Sequence, residues 1–217
     1  MQKQEIRSLV RNTLPKQDKS ALYHDIFLNA VIEKVLNQMY EDVWRLNPLN
    51  LQRYTKGYGY ATPIAVNIEA TTGLYYSDLL ESIVPFQDKS SGVRRISEIR
   101  ANGMSFFPMD FREIDLASNG CYFDTVNSKI GYAVNQTRIE YYKMSASVQA
   151  VGVRMDLVVP FSRYLETDEV KIPEIADMRT GETFMDRLFK ILQVIKPADI
   201  KDDNANDYPT GNQQTDN

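Results

Sequence analysis

The chain has 217 residues, 43% hydrophobic and 25% charged, with a formal net charge of −4, which fits one good core or two small subdomains. The acidic balance opposes a surface-wide affinity for phosphate backbones, and the single cysteine, Cys121, excludes an intrachain disulfide or a multi-cysteine metal site. No apolar run approaches the roughly 18 residues that span a bilayer, and residues 1–15, with Lys3, Glu5, Arg7 and Arg11, do not read as a signal peptide. The expectation is a soluble protein made inside the cell, with no membrane contact.

In chain order, Gln2 to Leu14 predicts a short amphipathic helix with Ile6, Leu9, Val10 and Leu14 on one face, closed by Pro15. Ser20 to Leu46 predicts a long helix of about 40 Å. Its apolar stripe is Leu28, Ile32, Val35, Leu36, Met39, Val43 and Leu46; Asp18 or Ser20 caps it and Pro48 stops it. Leu49 to Pro63 reads as a loop rich in aromatics and glycine. The period then shortens. Ile64, Val66 and Ile68 alternate with polar or small residues as a half-buried strand, with Leu74 to Tyr76 as its partner across Thr71-Thr72-Gly73. Further strands are expected at Ser82–Phe86, Val93–Ile99 and Met104–Phe107. A short helix is expected at Met109–Ala117, followed by a turn at Asn119-Gly120. Tyr122–Val126 and Ile130–Val134 read as a hairpin, followed by a strand at Arg138–Lys143. The clearest strand is Ala150 to Val159, with Val151, Val153, Met155, Leu157 and Val159 on one face. Thr183 to Ile195 predicts a helix with a full apolar stripe, and from Ala198 the chain is rich in Asp, Asn and Gln. The expected class is α+β. Residues 1–56 and 173–197 would form a helical bundle, 57–172 a β-rich, sandwich-like antiparallel insertion, and 198–217 an extended polar tail.

Few residues offer chemistry. His24 is the single histidine and stands far in sequence from Cys121, so neither a nucleophile pair nor a zinc site assembles from them. Cys121, beside Tyr122 and Phe123, reads as a small apolar group. Asp202, Asn204 and Asn206 imitate the start of a calcium loop, but Asp207 stands where glycine is needed and Gln213 where glutamate is needed. The neighbours Asp168 and Glu169, like Asp202 and Asp203, point apart on extended chain and make no acid/base pair. No catalytic residue, cofactor site or metal site is expected. A nucleic-acid contact through Arg94, Arg95 and Arg100 with the Tyr54–Tyr60 loop, flanked by Arg53 and Lys56, is the alternative reading, since cations beside aromatics suit single strands.

Several segments come in an order that resembles a viral family. These are Met104-Ser-Phe-Phe-Pro108, an acidic helix with Asp110 and Glu113, Arg138-Ile-Glu-Tyr-Tyr142, the strand Ala150–Pro160, and Asp168-Glu-Val-Lys-Ile-Pro173 before the last helix. The order is similar to head-to-tail adaptor proteins of tailed bacteriophages, the tail-tubular connectors beneath the portal, and to ring proteins of crAss-like phages. The likeness covers residues 1–196 in layout and 104–192 in motif detail; 87–103 and 198–217 fall outside it. It implies a non-enzymatic virion subunit in the neck or tail. Such a subunit joins a homo-oligomeric ring, commonly twelve-fold, touching the portal and other neck proteins. DNA would cross its lumen without specific binding, and an acidic lining would suit that passage.

Overall fold

The structure, a computed structural model, describes residues 1–13, 25–99, 103–110, 113 and 129–194. Its spine is α2 (Asp25–Leu46), about 33 Å long at the helical rise. Leu28, Ile32, Val35, Leu36, Met39 and Val43 are buried as expected, whereas Leu46 is exposed. The expected start at Ser20, its caps Asp18 or Ser20, and the closure of the first helix at Pro15 lie outside the described residues.

Helix α1 (Lys3–Thr13) buries Ile6 and Val10 but leaves Leu9 exposed and hides Lys3 instead. The reason is main-chain capping. The first-turn amides of Lys3 and Gln4 donate to the carbonyls of Asp168 (3.1 Å) and Glu166 (3.3 Å), groups a helix start would otherwise leave unpaired. The Lys3 ammonium donates to the Tyr164 carbonyl (2.7 Å) in the same segment, and its burial lowers the Lys3 pKa.

Four short antiparallel or bridging strands precede the middle of the chain: β1 (Lys56–Tyr58), β2 (Asn67–Ile68), β3 (Tyr75–Asp78) and β4 (Val93–Glu98). They are followed by β5 (Phe107–Pro108), β6 (Gly131–Asn135), β7 (Arg138–Tyr142), the short helix α3 (Ala146–Val151) and β8 (Val153–Leu157). Two sheets result among the described residues. One is antiparallel in the order β1-β8-β4; the other runs β2-β3-β7-β6-β5, parallel only between β5 and β6. Helix α4 (Phe184–Val194) ends the described chain. Thr183 and Asp186 exchange side-chain-to-amide bonds of 2.9 and 3.1 Å at its start, a reciprocal cap. Arg187 pairs with Asp42 and so ties α4 to α2, and one hydrophobic cluster runs through α1, α2, both sheets and α4. The class is therefore mixed α+β.

Several expected elements differ. Leu49–Pro63 is not wholly loop: Pro48–Tyr54 forms 3-10 turns, capped by the Asn47 side chain on the Leu49 amide (3.1 Å), and Lys56–Tyr58 is a strand. The expected strand from Ile64 narrows to Asn67–Ile68. Ile64 and Val66 are buried, but Ile68 faces solvent because β2 is a two-residue edge. Ser82–Phe86 is extended without being a strand, its one sheet-like bond running from the Val84 amide to the Val158 carbonyl (2.8 Å). The segment expected as a strand at Met104–Phe107 makes one antiparallel bridge, Ser105 opposite Ser97, before Phe107–Pro108 pairs with β6. The strand expected from Ala150 begins at Val153, since Ser145 caps α3 and carries Ala150 and Val151 into a helix. Gly152 makes the change of direction with a φ of +86°, where a Cβ would stand 2.5 Å from the Ile64 carbonyl oxygen. Strands β6 and β7 form a hairpin of their own, through Gln136 and Thr137. Tyr122–Val126, the Asn119-Gly120 turn and most of Met109–Ala117 lie outside the described residues.

Candidate interaction surface

His24, Cys121, Arg100 and the aspartates from Asp202 onward lie outside the described residues. Among those that are described, the structure separates residues that sequence reasoning grouped together. Arg94 is an internal tie: its guanidinium donates to both Asp88 carboxylate oxygens (3.1 and 2.9 Å) and lies 5.2 Å from the Phe86 ring centroid. Trp44 on α2 donates to the same carboxylate (3.1 Å), so Asp88 clamps the 84–92 segment to both β4 and the long helix. With its side chain only 6% exposed, Arg94 is unavailable to a phosphate.

Tyr54 is also spent internally. Its hydroxyl donates to Asp177 Oδ2 (2.5 Å), which is itself buried, and accepts from the Glu174 amide (3.2 Å). Asn50 (3.1 Å) and Arg53 (3.2 Å) donate to the same carboxylate. Burial, reinforced by the hydrogen bond to Asp177, pushes the Tyr54 pKa up to about 12. This cluster fastens the 3-10 turns after α2 to the 172–178 segment. Nothing in the local sequence announces Asp177; its role comes from contacts more than 120 positions away. Lys56 is likewise paired, with Asp168 at 2.7 Å. Asp168 and Glu169 thus serve α1, β1 and their own turn rather than one another.

Arg95 and Tyr60 behave differently. Strand β8 lies between β1 and β4 with Gly57 opposite Asp156, Arg95 also opposite Asp156, and Ser97 opposite Arg154. Val153, Met155 and Leu157 point inward, so Arg154 and Asp156 share the outer face with Arg95 by the two-residue alternation of a strand. Tyr60 folds back over this face: its hydroxyl donates to Asp156 Oδ1 (2.8 Å), and the Arg154 guanidinium lies 5.4 Å from its ring centroid. Gly57 makes room for the ring, since a Cβ there would meet Tyr60 at 2.8 Å. Arg154 Nε donates to Ser97 Oγ (2.9 Å), which fixes the guanidinium. Burial and the bond to Asp156 raise the Tyr60 pKa against the opposing charges of Arg154 and Arg95. Tyr60 is nevertheless 57% exposed. Arg154 was missed by sequence reasoning because it sits 60 positions beyond Arg94 and joins the group only through strand pairing.

No cluster of three or more metal-ligating side chains occurs among the described residues, and no described helix is long and apolar enough to cross a membrane. The chain matches no family model, no curated protein and no solved structure.

Proposed function

We propose that the protein is a non-enzymatic structural subunit of a phage head-to-tail connector, assembling as a ring below the portal and forming part of the DNA conduit. In this reading α1, α2 and α4 form a bundle that anchors each copy. The β-rich residues 57–172 are an insertion reaching outward, and residues 198–217 contact a neighbour. The ring is homo-oligomeric, touches the portal and other neck or tail proteins, and resides in the virion.

The observation that carries this reading is the exposure of large apolar side chains at both ends of α2. Ile26 is 83% exposed near its start, and Leu49 is 72% exposed just past its end, beside the exposed Leu46. Burial of these side chains against a partner would remove apolar surface from water at about 25 cal/mol per Å². A spine with apolar residues at each tip suits a subunit standing between one ring above and another below. The use of Arg94, Lys56, Arg187 and Asp177 in internal ties is also what a rigid structural part requires.

Electron cryomicroscopy of the particles, with masses measured for the purified full-length chain, tests the reading. A closed ring with α2 spanning its thickness is the expected result. A chain that stays monomeric at all concentrations and is absent from particles would overturn it.

A further inference from the structure

The outer face of the β1-β8-β4 sheet carries an inference independent of ring assembly. Arg95 and Arg154 form no ion pair among the described residues, and as diagonal neighbours on adjacent strands they stand roughly 7–8 Å apart at the backbone. Over Gly57 and against the Arg154 guanidinium lies Tyr60, held by its bond to Asp156 and yet more than half exposed. Two cations against one carboxylate leave the face locally positive. The ring needs no further ordering before it meets a ligand.

The charge of the whole chain does not oppose this. Residues 198–217 hold five aspartates and one lysine, a net of −4, which is the entire formal charge and leaves residues 1–197 neutral. The acidic repulsion of phosphate is therefore a property of that one segment, and the sheet face does not share it.

We propose that this face binds single-stranded nucleic acid. Tyr60 stacks an unpaired base, while Arg95 and Arg154 hold the phosphates on either side. An exposed aromatic beside guanidiniums matches the chemistry by which single strands are held without sequence preference. An acidic peptide would satisfy the arginines but leave the ring without a planar partner. Duplex DNA keeps its bases stacked on one another and offers the ring nothing.

The test is fluorescence anisotropy of a labelled thymidine oligonucleotide with the full-length protein across a salt series, alongside a blunt duplex and a labelled aspartate-rich peptide. Two phosphate contacts predict a log–log salt slope of about −1.4. Arg95→Ala, on an exposed side chain, weakens binding and halves that slope. Tyr60→Ala weakens binding about 5- to 150-fold with little change of slope. Tyr60→Phe keeps the ring and retains binding, which separates stacking from any effect on folding. Lys34→Ala, on an exposed residue of α2, leaves binding unchanged. The proposal fails if the oligonucleotide does not bind, if Lys34→Ala weakens binding as much as Arg95→Ala, or if the duplex or the acidic peptide binds in its place. Ring formation, read separately by mass, neither depends on these results nor decides them.

Discussion

Replacing Asp177 with alanine removes the acceptor on which three side chains converge, and the consequence can be worked from its partners. The Tyr54 hydroxyl loses a bond to a charged acceptor, a bond type that contributes about 1.5–3 kcal/mol. Asn50 loses a bond that contributes about 1 kcal/mol. The Arg53 side chain is 67% exposed, so its ion pair adds under about 1 kcal/mol after screening by solvent. Water reaching the site through the groove beside Arg53 and Glu174 recovers part of this, so the expected loss is about 3 kcal/mol. For a chain of this size that lowers Tm by about 6–12 °C, measurable by circular dichroism or calorimetry. A cycle with Tyr54→Phe assigns the share of the hydroxyl. The pH arm has a definite sign. The Tyr54 pKa is raised in the folded state, so its contribution is complete below pH 10 and is lost as pH rises toward about 12. Removing the carboxylate lowers that upper limit. A Tm for Asp177→Ala within about 2 °C of the parent would refute the account of this cluster as a fastening of the 172–178 segment to the end of α2.

Arg94→Ala should cost about 2–3 kcal/mol in urea unfolding, because it leaves the half-buried Asp88 carboxylate with only the neutral donors Trp44 and Ser90, whereas Arg95→Ala should stay within about 0.5 kcal/mol. Equal effects would show that the two arginines are not divided between interior and surface as described. Gly152→Ala combines a positive φ with a 2.5 Å approach to the Ile64 carbonyl oxygen and should lose about 2–4 kcal/mol, seen as a lower urea midpoint. Deleting residues 198–217 should leave the Tm of the isolated subunit unchanged while weakening assembly on its partner, compared by calorimetry and by the masses of the complexes formed. An equal fall in both would place that segment in the core.

Helix positions were legible because their periodicity is local. The stripe from Leu28 to Val43 dictates a helix whatever surrounds it, and Thr183 with Asp186 caps α4 within a few residues. Strands were legible where alternation ran long enough, as at Val153–Leu157, but their ends were not. Ser145 and Gly152 convert part of an apparent strand into α3, and a two-residue edge leaves Ile68 in water. The candidate surface was half legible. Arg95 and Tyr60 are legible as a cation and an aromatic worth notice, yet in the sequence they group with Arg94 and Tyr54, which turn inward to Asp88 and Asp177.

What composition and periodicity determined alone is the presence of a long amphipathic helix, a β-rich middle, a closing helix, and an acidic last segment that holds the whole net charge. What only the tertiary structure decided is which charges face outward. Strand pairing set Arg154 beside Arg95 and brought Tyr60 over Gly57, while it consumed Arg94, Lys56 and Tyr54. The physical reason is range. Helical and strand periods are written between near neighbours, whereas the partner that buries a charge can stand more than 120 positions away.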